Sequence, residues 1–164
     1  YEPACSPHLA GRMAGAYPDV GRIASCFTSL AASHDFVLAE GAGGIYAPVD
    51  ESQTMLDLMV ALGLPVLLVA RRGLGTINHT LLSIDALRAA GLAIVGVVFN
   101  ETEDVARDFI RKDNPGTVAQ FSGVKVLADI DYLGAMEGAA DNAWARFDQC
   151  AQGLYARVEK ELKP

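Results

Sequence analysis

The run Pro65-Val66-Leu67-Leu68-Val69-Ala70 is apolar throughout, with no alternation of polar and apolar positions. A strand of that kind is covered on both faces, the condition of a parallel sheet rather than a half-solvated antiparallel one. Parallel neighbours cannot be joined by a tight turn, so each connection crosses the sheet, usually as a helix. The downstream sequence supplies such crossovers. Thr76 to Ala90 is helical in pattern and ended by Gly91, and Ala93 to Phe99 is a second buried strand ending in Asn100. A helix from about Glu103 to Lys112 follows, then the breaker Asn114-Pro115-Gly116. A short strand from Val124 to Ala128 and a long amphipathic helix from about Gly138 to Lys163 complete the pattern.

Upstream, Ser6-Pro7-His8 reads as an N-cap followed by proline at the first helical position. Val20 to Ser33 carries Ile23, Phe27, Leu30 and Ala31 at helical spacing. Asp35 to Ala39 reads as a strand, and Ser52 as the N-cap of a helix from about Gln53 to Leu62 closed by Gly63. Strands and helices alternating at this spacing imply one α/β domain over residues 1–164. The expected architecture is a doubly wound parallel sheet with helices on both faces.

Three strand ends carry polar or small residues: Glu40-Gly41, Arg71-Arg72-Gly73 and Asn100-Glu101. In an open parallel sheet, ligands bind beyond the carboxyl ends of the strands, so all three can converge on one ligand. The apolar run Phe36-Val37-Leu38-Ala39 ends in Glu40 and is followed by Gly41-Ala42-Gly43-Gly44, whose small size lets a ligand approach the backbone. Glu40 suits Mg²⁺, which combines carboxylates with phosphate oxygens; a salt bridge or helix cap is its other reading. Gly75-Thr76-Ile77-Asn78 opens a helix, where unpaired amides favour a carboxylate or phosphate, with Thr76 and Asn78 adding donors. The competing reading makes Thr76 an ordinary N-cap. Arg71 and Arg72 read either as a phosphate clamp or as a solvated turn. His79 reads as a packing or hydrogen-bonding residue.

A net charge of -7 without a long basic run argues against nucleic-acid binding. The longest apolar run, Leu64 to Ala70, is too short for a bilayer, and no signal peptide opens the chain. Cys5, Cys26 and Cys150 are odd in number and contain no CxxC. They read as reduced thiols of a cytoplasmic protein.

Glu40-Gly41-Ala42-Gly43-Gly44 with Pro48, Thr54-Met55-x-Asp57-Leu58, Leu64-Pro65-Val66, and the block Gly73-Leu74-Gly75-Thr76-Ile77-Asn78-His79-Thr80-Leu81-Leu82 together resemble the dethiobiotin synthetase family. Ser6-Pro7-His8-Leu9-Ala10 and Asn100 match in order and spacing, so the resemblance covers roughly residues 3 to 134. It implies a homodimeric P-loop NTPase-like fold that uses ATP, Mg²⁺ and CO₂ to close the ureido ring of dethiobiotin on the diamino acid 7,8-diaminononanoate. A carbamate on one amine would be phosphorylated by ATP, and the second amine would expel phosphate. The resemblance implies that Glu40 is the acidic Mg²⁺ ligand, and that Gly43 with Gly44 lies against the amines and carbamate. Thr76, Ile77 and Asn78 would receive the substrate carboxylate across a dimer interface, and Asn100 would recognise the nucleotide base.

The chain departs from the family pattern twice. No GxxxxGK followed by Ser or Thr occurs, and family members carry that loop on an N-terminal first strand. The expectation is that this chain starts just after that region and lacks turnover by itself, since the loop neutralises phosphoryl-transfer charge. Where the family has Gly-x-Ile-Pro after the last strand, this chain has Ala128-Asp129-Ile130-Asp131. Asp131 in place of proline bears on the base-contacting loop and on nucleotide preference. Competing readings are a degenerate carboxylate-binding or regulatory module without ATPase activity, and a related amidoligase.

Overall fold

Capping chemistry sets the helix starts of the N-terminal residues. The computed structural model describes residues 4–106, 108–134, 145, 147–149 and 151–162, and the chain divides into two units, Tyr1–Leu64 and Pro65–Pro164. In the first unit, α1 (Pro7–Ala14) opens on Pro7 after Ser6, as expected. The Ser6 hydroxyl meets His8 Nδ1 at 3.0 Å rather than a helix amide. Helix α2 (Val20–Ala31) is capped by Asp19, whose carboxylate accepts from the Arg22 amide at 2.8 Å.

Helix α3 (Met55–Leu62) starts later than Ser52 predicts. The Ser52 and Gln53 amides each donate to Asp50 Oδ1 at 2.7 Å, forming a turn before the helix. The cap is Thr54, whose amide and hydroxyl both donate to Asp57 Oδ2 at 2.7 Å. Thr54 and Asp57 thus form the capping box of this helix. Val20, Val49 and Met55 are buried together, with Leu58 and Met59 packed on them.

The segment Asp35 to Ala39 is not a strand in this structure. A strand exists through its ladder, and among the described residues none pairs with this one. Phe36 and Leu38 are consequently 57% and 78% exposed.

The second unit is built on three parallel strands in the order β1 (Val66–Arg71), β2 (Ile94–Asn100), β3 (Val126–Ile130). Between them run α4 (Thr76–Ala89) and α5 (Phe109–Ser122), and α6 (Leu154–Leu162) follows. Ala70, Ile84, Val97, Phe99, Val118 and Val124 form one core, between the sheet and the α4 and α5 side. Val95, Val98, Leu127, Ala128 and Ile130 form another on the opposite face, joined by Phe147, Leu154 and Val158. Helices therefore cover both faces, as the apolar strands require. Complete burial of Ile84, Val97, Phe99 and Val118 stabilises by about 1.5–3 kcal/mol per side chain.

Strand β2 carries a bulge. Val66 pairs with Ile94 but Leu67 pairs with Gly96, so Val95 is the extra residue. The bulge reverses the side-chain alternation: Val95 packs on the α6 side, whereas Val97 and Phe99 pack on the α4 and α5 side. Gly96 is required by the crowding that results. A Cβ there would lie 2.6 Å from Leu127 Cγ and 3.0 Å from the Lys125 carbonyl oxygen.

Three further expectations are corrected. Val69 is 62% exposed, on the strand away from the packing of α6 against β2 and β3. The helix expected to stop before Asn114-Pro115-Gly116 instead begins at Phe109, capped by the Asp108 carboxylate, and runs through that tripeptide to Ser122. The C-terminal helix is not continuous: residues 147–149 are helical, Ala151-Gln152-Gly153 form a turn, and α6 starts afresh at Leu154. Most of its expected first third, and Cys150, lie outside the described residues. No helix among the described residues is long and apolar enough to cross a membrane.

Candidate functional site

Parallel pairing puts Arg71, Asn100 and Ile130 on one rung, so the carboxyl ends of β1, β2 and β3 form a single edge. Helix α4 opens from that edge after the four residues Arg72-Gly73-Leu74-Gly75 that follow the β1 terminus. Gly75, with φ +90°, is the N-cap, so Thr76 is the first helical residue and not the cap. The Thr76 hydroxyl is buried and donates to the Arg71 carbonyl, fastening the helix start to the strand end. Its Oγ1 also lies 3.4 Å from Thr80 Oγ1. That hydroxyl is turned inward, whereas Asn78 is exposed and Ile77 half-buried against the core. The first-turn amides of Ile77 and Asn78 precede the intrahelical ladder, leaving the helix start suited to an anion.

A cavity of about 190 Å³ lies beside this turn, lined by Val69, Ala70, Arg71, Thr76, His79 and Thr80 among others. His79 is exposed, close to Gly75. Asn100 ends β2 half-buried, one strand over from the β1 terminus. The structure thus brings Thr76, Ile77, Asn78 and Asn100 to one sheet edge.

The same edge holds ionic contacts that sequence reasoning missed. Arg72 is 0% exposed, and its guanidinium pairs with Asp129 and, through Nη1 at 3.4 Å, with Asp131. Its carbonyl accepts from the buried Asn114 side-chain amide. Arg72 is therefore neither a solvated turn residue nor a phosphate clamp. Beside it, the buried Glu101 carboxylate accepts from the amides of Thr102 (3.1 Å) and Glu103 (3.3 Å) and from Arg111 Nε (3.0 Å). Arg111 also reaches Glu103 at 3.0 Å and Asp108 at 3.3 Å, gathering the loop that follows β2. The available signal was a charged residue directly after each apolar strand; a partner far along the chain cannot be read from spacing.

Glu40, Gly43 and Gly44 belong to the N-terminal unit. All three are exposed. Gly43 has φ +82°, and a Cβ there would lie 3.1 Å from Ala47 Cβ, so a side chain would be both strained and crowded. The turn after it is held to the start of α3: Met55 and Leu56 amides donate to the Ala47 and Ile45 carbonyls, each at 2.8 Å. No three His, Cys, Asp or Glu side chains cluster as a metal cage among the described residues. An exposed single carboxylate such as Glu40 fits Mg²⁺, which keeps several waters and takes one or two carboxylates plus substrate phosphates.

A family model described as an AAA domain matches residues 1–140. The chain is 44% identical over 131 residues to the ATP-dependent dethiobiotin synthetase BioD of Anaeromyxobacter sp. (strain Fw109-5), covering 78% of this chain and 57% of that protein. It is 41% identical over 123 residues to the BioD of Lysinibacillus sphaericus (strain C3-41), covering 74% and 51%. Over 110 residues it is 43% identical to the biotin biosynthesis bifunctional protein BioCD of Bordetella avium (strain 197N), covering 67% and 22%. The chain spans about half the length of the BioD proteins it matches.

Proposed function

This chain belongs to the AAA domain family, and from that membership and its likeness to dethiobiotin synthetases we propose that it belongs to an ATP- and Mg²⁺-dependent ligase. The reaction is closure of the ureido ring of dethiobiotin on 7,8-diaminononanoate with CO₂. The observation that carries this reading is the opening of α4 at the sheet edge, with Asn78 exposed in its first turn.

Each residue group has a distinct task. The Ile77 and Asn78 amides, with the Asn78 side chain, receive the substrate carboxylate; they are dipoles already fixed by the helix and need no reorganisation on binding. Thr76 contributes by locking that turn to β1 through its hydroxyl. Gly43 and Gly44 let the amines and the carbamate approach the backbone. Asn100, with one donor and one acceptor group, reads the nucleotide base. Glu40 is the group that would hold Mg²⁺, which when bound neutralises phosphate charge. The 164 residues act as one domain of a cytoplasmic homodimer whose substrate site is shared across the interface.

The test uses the complete protein with 7,8-diaminononanoate, bicarbonate and Mg-ATP, following phosphate release and dethiobiotin by mass spectrometry. Phosphate release without dethiobiotin would reject the ligase. Asn78→Ala should weaken diaminononanoate binding about tenfold or more in calorimetry, the scale of one hydrogen bond to a charged group. Unchanged affinity removes Asn78 from the substrate site.

A further inference from the structure

We propose that Arg72 is a positioning residue for nucleotide selectivity, setting where the chain leaves β3 beside Asn100. The inference rests on the reading of Asn100 as the base-recognising residue. Its own ground is a set of contacts on one sheet edge.

Asn100 pairs with Ile130 across the β2–β3 ladder, and the Glu101 amide donates to the Ile130 carbonyl at 2.9 Å. Residues 131–134 therefore depart from the rung that Asn100 occupies. Both carboxylates flanking Ile130, Asp129 and Asp131, pair with the guanidinium of Arg72. Arg72 is anchored independently of them: it continues β1, and its carbonyl accepts from Asn114 in α5. The guanidinium has no exposed surface, while Asp131 is about half exposed at the mouth of the edge. One buried cation thus fastens the exit of β3 to β1 and α5.

The planar fork of an arginine fixes two acceptors in direction as well as distance, which a lysine does not. An exit held this way keeps the half-buried stretch after β3 at a fixed spacing from Asn100. Discrimination between bases depends on such spacing, because a base is told apart by one or two directed hydrogen bonds. Freeing the exit should leave phosphate affinity in place and blur the choice of base.

The experiment measures dissociation constants of the complete protein for ATP and for ITP, which differ in the 6-amino or 6-oxo group and in N1, an acceptor in ATP and a donor in ITP. Wild type, Arg72→Met, Arg72→Lys and Asp131→Asn are compared, each with its melting temperature. Asp131→Asn retains the Arg72–Asp129 pair and a half-exposed position, so it folds even where Arg72→Met does not. The expected result is a ratio of the two constants that falls about tenfold in Arg72→Met and by a smaller factor in Asp131→Asn, with Arg72→Lys between wild type and Arg72→Met. Variants that melt earlier yet keep the wild-type ratio would show a purely structural arginine and overturn the proposal. Absence of any base preference in the wild type would overturn the reading of Asn100 itself, and the proposal with it.

Discussion

Glu40 follows an apolar stretch and is exposed, so its substitution tests chemistry with little effect on folding. Glu40→Gln should abolish Mg²⁺-dependent turnover of the complete protein while far-UV circular dichroism stays as in the wild type; full turnover would remove the metal role. The sequence exposed this residue because a carboxylate before four small residues has no packing reason. Arg72 was legible only as a charge. Its burial comes from Asp129 and Asp131, almost sixty residues away in sequence, and no local pattern carries that distance. Thr76 was half legible: its place at the helix start was evident, but the inward hydroxyl depends on the Arg71 carbonyl behind it.

At the level of elements, Asp57 offers a titratable cap. Its carboxyl is held below the ordinary aspartate value of 3.8, first by the Thr54 amide and then by the Thr54 hydroxyl. A depressed folded value means that the cap's stabilisation is present above pH ~4. It is lost as pH falls through the folded value. Thermal melts should therefore separate wild type from Asp57→Asn at pH 7, and the gap should close as pH falls below the ordinary aspartate value and the carboxyl takes up its proton; a constant gap would exclude the ionised cap. For β2, Gly96→Ala should cost about 1–3 kcal/mol in urea unfolding, since Leu127 and the Lys125 carbonyl both obstruct a methyl group. An unchanged midpoint would mean that the bulge relaxes freely.

Strands β1 and β2 were readable from continuous apolar runs and α4 from its glycines, whereas β3, expected over Val124 to Ala128, runs from Val126 to Ile130. The start of α5 was not. Pro115 signalled a breaker, yet the Asp108 cap and the burial of Asn114 and Val118 keep the helix running through it. Tertiary packing outweighed the local signal.

Across the whole molecule, β1, one of the two edge strands among the described residues, is the exposed liability. Among the described residues β1 has one partner, and Val69 faces outward from it. Val69→Lys should change stability by under about 0.5 kcal/mol while lowering concentration-dependent light scattering, because a charged edge resists strand addition. Equal scattering would show that association runs through another surface. The unpaired stretch from Phe36 to Ala39 marks the limit of sequence reading here: apolar content indicates a strand, but only a neighbour makes one.

The bulge in β2 also bears on how such a chain can change over time. Because Val95 is supernumerary in the β1–β2 ladder, its removal leaves Ile94 and Gly96 opposite consecutive β1 residues and disturbs no later assignment of side chains to faces. Removal of Val98, three positions on, would turn every following side chain of β2 over. Insertions and deletions in this sheet are thus not equivalent events: the strand holds one spare letter, and the structure marks which one.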